Sequence, residues 1–466
     1  MAQGPLSYSN DTVSVTHEFV ILAHRRCILQ EVLVSARRER STTSGSPMGA
    51  SRLYSIVRDA RQLELKALAQ SPVVWTTGIT YLGMGLSVLS APALAHALGA
   101  TGRGELAATF VVVQLLAWMA FLGVPRGAAV EEKAQLVTPR RSYLVMTVLG
   151  VAATAMGYFS APVLYGDTPV VEVYVRIASL TLLATGFAQF GGERLLLEQR
   201  MWSWNAIRAA TLVLPSLLIV VLYVIGHLTL ANAFLATLSG QAIATLLGAA
   251  FAFPTRRRAG VSRRLPWKFS THYWLASAFD SLGARFDQLA LGAFVAPAHL
   301  GIYAVAVTCS SASGALTQAL NNAGFATFFG EEGRGNLRTR ALMGFASSVA
   351  SGVLIVAVTV LFWRALFGAG YEELPAVTAI LVVFQLLNDQ WQLRVFFDSA
   401  AQNGVRLVVA SAIAFVVMLA GILILHGTGH LDELSMACVM AVMAGVRLSA
   451  RSSGIGRAAA AGRGRA

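Results

Sequence analysis

Charge is what this chain has little of. Lys, Arg, Asp and Glu make up 13% of its 466 residues while apolar residues make up 56%, a balance that excludes an ordinary soluble domain and makes apolar runs recur along the whole length. Cysteine is scarcer still. Cys27, Cys309 and Cys438 are far apart and odd in number, so they supply neither a disulfide framework nor a metal site. No Gly-rich phosphate loop followed by Lys and Ser/Thr occurs, so nucleotide-driven pumping would need another subunit. The histidines at 96, 227, 272, 299, 426 and 430 are not spaced as metal ligands, and neither a catalytic set nor a cofactor motif is expected. A cleavable signal peptide is not expected either, because the first long apolar run begins only near Val73 and has no small-residue cleavage site.

The net charge of +13 is carried far more by arginine than by lysine. It sits in short links between apolar runs and not on one soluble basic face, which argues for membrane topology and against nucleic acid. A bilayer span needs roughly 20 apolar residues, and twelve stretches qualify. They are 73–98, 106–124, 143–164, 170–190, 206–226 and 231–253, then 272–295, 300–325, 341–363, 376–393, 404–425 and 434–449. The last is short, and Asn388-Asp389-Gln390 is expected to interrupt the tenth. With the N-terminus cytoplasmic, the inner segments hold thirty-two of the thirty-six Lys and Arg. One missed span would reverse every later segment and destroy that asymmetry. The expected fold is therefore all-α: a multi-pass protein of the inner (plasma) membrane with about 12 transmembrane helices and both termini cytoplasmic.

Residues 1–70 read as a basic cytoplasmic leader. Its first 47 residues are either disordered or lie upstream of a start at Met48, and Arg52 to Gln70 is an amphipathic helix on the cytoplasmic leaflet or a solvated basic segment. Residues 71–253 form a first six-helix lobe, 254–271 a basic cytoplasmic linker, 272–450 a second six-helix lobe, and 451–466 a disordered tail.

An internal repeat supports the two-lobe division. Aligning Gly104, in the hairpin Leu98 to Ala107, with Gly301 puts Leu106 over Tyr303 and Ala107 over Ala304. Six spans separate the copies, so the lobes relate as parallel repeats about a pseudo-two-fold axis along the membrane normal. These segments, with Arg285-Phe286-Asp287-Gln288-Leu289-Ala290-Leu291-Gly292 and Leu300 to Ala306, resemble the polysaccharide-biosynthesis flippases of the multidrug/oligosaccharidyl-lipid/polysaccharide exporter superfamily. The pattern over roughly 70–360 fits as well, and the likeness fades after Tyr371. The resemblance implies two lobes in a V around a central cavity. It implies movement of an undecaprenyl-linked sugar intermediate from the inner to the outer leaflet by alternating access, for surface polysaccharides such as lipopolysaccharide or exopolysaccharide. The lipid-linked oligosaccharide and membrane lipids are the implied partners, with other glycan-assembly proteins as further candidates. A multidrug or lipid-II exporter of the same superfamily is the alternative. A membrane glycosyltransferase or polymerase is a further one, but it would need a sizeable outer catalytic loop, and the outer links here are short.

The seventh span carries Asp280, Arg285 and Asp287 inside an apolar run, where each ionised group costs at least a few kcal/mol unless paired or wet. On one straight helix Asp280 and Asp287 project from nearly one face, while Arg285 is rotated away and lies roughly 15 Å below the outer end. Arg285 there can hold phosphate oxygens bidentately; the competing reading is a packing pair with a carboxylate of a neighbouring helix. Asp280 and Asp287 are candidates for substrate contact and for coupling to a proton or cation, and Asp389 for coupling. Glu172 and Arg176 suit an i,i+4 ion pair, with Arg176 as a cargo contact in the other reading. Gln114, Gln318, Asn321 and Asn322 place hydrogen-bonding groups in apolar runs, where they glue helices or meet sugar. Glu193, Arg194, Glu198, Arg200 and Arg208 flank Met201-Trp202-Ser203-Trp204 as an interfacial belt or a cytoplasmic gate. Gly78, Gly83 and Gly85 permit close packing or bending of the first span.

Overall fold

A computed structural model describes residues 72–135, 137–138, 140–198, 200–253, 260–261, 270–271, 274–275, 278–279, 282–283, 285–314, 317–318, 337–400 and 404–452. The leader at 1–70, most of the linker at 254–271, Asp280, Asn321, Asn322 and nearly all of the tail at 451–466 lie outside these residues.

In hydrocarbon every backbone N–H and C=O needs a partner within its own segment, so apolar runs resolve into helices. The described helices are α1 Pro72–Met119, α2 Val124–Gln135, α3 Arg140–Tyr165, α4 Pro169–Ser179, α5 Leu182–Leu197, α6 Met201–Leu212, α7 Leu214–Val224, α8 Leu230–Ala252, α9 Phe286–Phe294, α10 Pro297–Ser313, α11 Leu337–Phe367, α12 Leu374–Ala400, α13 Gly404–Thr428 and α14 Glu433–Ser452. Among the described residues the one departure from all-α is a two-residue parallel pairing of β1 Val137–Thr138 with β2 Gly260–Val261. Among the described residues, seven segments are long and apolar enough to cross a bilayer, and an eighth results if the bent pair α4–α5 is one span. Large apolar side chains such as Val163, Leu361 and Phe159 stand exposed on the outside, a surface that suits acyl chains and not water. The chain is a multi-pass membrane protein.

Several spans are less regular than the sequence implies. A straight 48-residue α1 would run about 70 Å, more than twice the hydrocarbon core. It is broken at Gly99 (φ 66, ψ −176), a left-handed position that favours glycine, and so forms two limbs. The span expected over 170–190 bends by 47° between Ser179 and Leu182 and continues to Leu197. The one expected over 206–226 begins at Met201 and breaks at Val213, ahead of Pro215, whose ring removes a backbone donor and crowds the preceding turn. The seventh span is not one straight helix. Arg285 (φ −139, ψ −16) stands outside helical geometry immediately before α9; the shared face inferred for Asp280 and Asp287 rests on Asp280, outside the described residues. Conversely, α12 runs unbroken through Asn388-Asp389-Gln390, where an interruption was expected, because these polar side chains find partners inside the bundle. The helix α2 and the β pairing were not foreseen.

Helices before residue 253 pack chiefly on one another, as do those from Phe286 onward, and the main contact between the two groups is α1 against α10. The largest apolar core lies across that contact, with Ala108, Val111 and Val112 of α1 and Leu300, Tyr303 and Ala306 of α10 all buried. At its centre the backbones touch. A Cβ on Gly104 would stand 1.7 Å from the Pro297 carbonyl oxygen, and one on Gly301 1.9 Å from that of Ala100. Each would also lie 3.0 Å from the other glycine's nitrogen. The two positions paired by the sequence repeat are thus the two that meet, reciprocally. Further along the same limb of α1 the groups touch again, where Trp274 Nε1 donates to the Met119 carbonyl at 3.0 Å and a Cβ on Gly123 would stand 2.4 Å from the Ser270 carbonyl oxygen.

Of the first-span glycines, only Gly83 makes a close approach, its missing Cβ lying 2.8 Å from that of Leu212; Gly78 and Gly85 face open space. Gly104→Ala and Gly301→Ala should each destabilise the protein by about 1–3 kcal/mol through overpacking, whereas Gly78→Ala and Gly85→Ala should be neutral or stabilising. Thermal unfolding of the four variants in detergent checks this, and equal melting temperatures across the set would contradict the packing described.

Candidate functional site

Asp287 opens α9 and is 3% exposed. Its two oxygens are answered separately: Oδ1 accepts from the Gln288 N–H at 2.8 Å and Oδ2 from the Tyr303 hydroxyl of α10 at 2.6 Å. Both residues line a cavity of about 210 Å³ inside the second helix group, with Gln385 and Asn388 of α12 and Arg447 of α14. Arg447 donates to Asn388 Oδ1 at 2.6 Å and lies over the Trp391 ring at 4.8 Å. The cavity is therefore a polar chamber within an apolar bundle, bearing a carboxylate, a phenol, amides and a guanidinium.

Arg285 precedes this site by two residues and is half-buried. Among the described residues it has no ion pair, so the packing partner on a neighbouring helix is not found there. The nearest described carboxylate, Asp287, is hydrogen-bonded to Tyr303 and also acts on Arg285 electrostatically.

Asp389 anchors a second polar knot. It is 1% exposed and accepts from Ser348 Oγ at 2.6 Å and from Gln385 Nε2 at 2.7 Å. Ser348 in turn bonds Thr317 at 2.6 Å, and Thr317 donates to the Gly344 carbonyl at 3.2 Å. A Cβ on Gly314 would lie 2.8 Å from Asp389 Oδ1, so the glycine is what lets α10 approach the carboxylate. The knot ties the end of α10 to α11 and α12, and Gln385 joins it to the cavity.

The other candidates lie elsewhere. Arg176 pairs with Glu172 at 2.6 Å and stacks over Tyr158 at 5.0 Å, within the first group and away from the cavity. Gln318 donates its backbone N–H to Gly314 at 2.9 Å and does not line the cavity. Asp280 and Asn321 are outside the described residues. The charged residues near Trp202 form a ladder inside the first group: Arg126 to Glu193 at 3.5 Å, Arg194 to Glu198 at 2.9 Å and to Glu132 at 3.8 Å, and Arg200 to Glu198 at 3.8 Å. Trp75 and Trp202 meet at 5.2 Å, and Arg208 covers Trp204 at 4.8 Å. These contacts join elements of one group to each other, which suits a belt more than a gate.

Sequence reasoning missed Tyr303, Gln385, Asn388 and Arg447. Gln385 and Asp389 are four apart in an apolar run, a spacing that puts both on one helix face and was legible. It also missed a cluster of charged residues at helix starts. His299 pairs with Glu433, Asp432 and Ser435 cap α14 reciprocally at 2.7 and 3.0 Å, and the Glu433 carboxylate acts electrostatically on Glu373.

The fold defined by these helices is that of transporters of the MOP superfamily. Among solved structures the chain is similar to an inward-facing multidrug resistance MATE family transporter (TM-score 0.59, 18% identity, 82% of this chain and 94% of that one). It is also similar to the lipid II flippase MurJ in an inward closed conformation (0.64, 9%, 81% and 86%) and to a MOP superfamily transporter from Pyrococcus furiosus (0.53, 15%, 83% and 94%). Among curated proteins none matches the chain by sequence. The family model described as polysaccharide biosynthesis protein matches residues 71–328, more than half of the sequence, and the chain belongs to that family.

Two consequences are measurable. Asp389→Ala strands the Ser348 hydroxyl and the Gln385 amide in the core and should cost about 1–3 kcal/mol, read as a fall in unfolding temperature; no fall would mean the knot is not structural. Just before α12, the buried Glu433 carboxylate holds the Glu373 carboxyl above its ordinary range, with burial adding to the effect. A carboxyl raised on folding binds more protons in the native state, so stability falls as pH rises from the unfolded pKa through the folded one. Glu373→Gln should therefore raise the unfolding temperature at pH 7, and the gain should vanish near pH 4. A gain that persists unchanged at low pH would contradict the repulsion.

Proposed function

We propose that the protein is a flippase that carries a polyprenyl-diphosphate-linked oligosaccharide from the inner to the outer leaflet of the plasma membrane, by alternating access between two six-helix lobes. Membership of the polysaccharide biosynthesis family and the transporter fold support this reading, but the observation that carries it is Arg285. A guanidinium in an apolar span, without an ion pair among the described residues, is costly to keep unless it serves a charged cargo. Its planar fork matches two phosphate oxygens at once, which a lysine cannot reproduce.

Orientation follows from charge. The links holding thirty-two of thirty-six Lys and Arg include the ladder of Arg126, Arg194 and Arg200, which places that end in the cytoplasm. On that orientation the Gly104–Gly301 contact lies at the outer end. Asp287 and its cavity lie within the second lobe, one helix turn or less from Arg285. An acid enclosed with a tyrosine, amides and one arginine can take up or release a proton or hold a cation, and either event alters the charge beside the cargo site.

Replacing Arg285 by Ala should reduce export by about 10–100-fold, the cost of a charge-assisted contact, with Lys restoring only part of it. Asp287→Asn retains an acceptor for Tyr303 but cannot ionise, so it should fold normally and lose driven transport. Surface polysaccharide and accumulated unpolymerised lipid-linked units, scored at matched protein level, decide the matter. Undiminished export in both arginine variants would remove Arg285 from the mechanism.

A further inference from the structure

The charged groups of the chamber beside Asp287 are already engaged. Both Asp287 oxygens accept hydrogen bonds, from the Gln288 N–H and the Tyr303 hydroxyl, and Arg447 donates to Asn388 while covering the Trp391 ring. A charged ligand would have to break one of these contacts to find a counter-charge, and the group it displaced would be left buried without its partner.

What stays open in the chamber is amide. Gln385, Asn388 and Gln392 line it from α12, and their spacing of three and four residues puts all three on one face of the helix. Among the described residues each keeps an amide atom that is neither hydrogen-bonded nor enclosed. For Gln385 it is the oxygen, since the nitrogen donates to Asp389; for Asn388 it is the nitrogen, since the oxygen accepts from Arg447. For Gln392 it is both atoms. An amide in an apolar bundle commonly ties helices together, and Gln392 ties none of the described ones. Apolar side chains, Phe384, Met440 and Met443 among them, complete the lining, and Ser311 on the rim is exposed, so the chamber is not sealed.

We propose that this chamber is a subsite for one neutral sugar ring. An amide offers donors and an acceptor together, as each sugar hydroxyl does. The C–H faces of a pyranose suit the apolar wall while its hydroxyls reach the amide stripe. A volume of about 210 Å³ admits one such ring and not a chain of them. The inference deepens the preceding reading and rests on it: Asp287, in the same lining, is two residues from Arg285, so the ring held here is the one beside the diphosphate.

The test measures binding of farnesyl diphosphate to the full chain in detergent, the ligand being bare or carrying one glucose, galactose or N-acetylglucosamine. At least one sugar-bearing form should bind about ten-fold more tightly than the bare form, the effect of a few hydrogen bonds made in place of water. Gln392→Leu breaks no hydrogen bond among the described residues and should reduce that difference about three-fold. Asn388→Asp keeps the acceptor for Arg447, loses the donor, and should reduce it as well. Affinity for the bare form in each variant reports that it is folded. Equal binding of all four ligands, or a difference undiminished in both variants, would overturn the subsite and leave the diphosphate reading standing. Binding of none of the four would overturn both.

Discussion

The dehydration of charge governs this protein. Within an apolar bundle an ionised side chain is tolerated only where a partner replaces its water, and the structure meets that demand locally and repeatedly. Asp287 is answered by Tyr303 and a backbone N–H, Asp389 by Ser348 and Gln385, Glu172 by Arg176, and Arg447 by Asn388. Each answer holds two neighbouring elements or two turns of one helix in register. Arg285 has no ion pair among the described residues, although the Asp287 carboxylate two residues on acts on it electrostatically, and the functional reading begins from it.

A second constraint is the distance between helices. Side chains would hold α1 and α10 apart, and glycine at 104 and 301 removes that obstacle on both. Small residues at such crossings let backbones approach and gain dispersion contacts, the main source of association where water does not drive it. The reciprocal geometry of the two glycines gives the joint an approximate two-fold symmetry. In the proposed cycle this is the contact that parts when the outer side opens. Because it consists of shape and not of ion pairs, it can open without leaving a stranded charge.

The membrane class and the positions of most of the described spans were legible in the sequence, since hydropathy is a sum over many residues and survives local irregularity. The Gly104–Gly301 match was legible too, although its meaning as a contact was not. What failed were inferences assuming straight helices. The seventh span leaves helical geometry at Arg285, and the expected gap at Asn388-Asp389-Gln390 is absent because buried partners satisfy those side chains. The family match ends at residue 328, earlier than the pattern read to about 360. Tyr303, Asn388 and Arg447 could not be brought together from one sequence, because they lie on separate helices and no spacing links them.

The central claim is that this chain moves a lipid-linked oligosaccharide across a bilayer. Its most direct test is reconstitution of the purified protein in sealed vesicles holding a labelled polyprenyl-diphosphate oligosaccharide. A glycan-modifying reagent confined to one side then reports how fast the sugar crosses. The account predicts translocation well above that of protein-free vesicles, and selective for the diphosphate-linked glycan over ordinary phospholipid. Crossing at the protein-free rate, or equally fast crossing of any lipid, would contradict it.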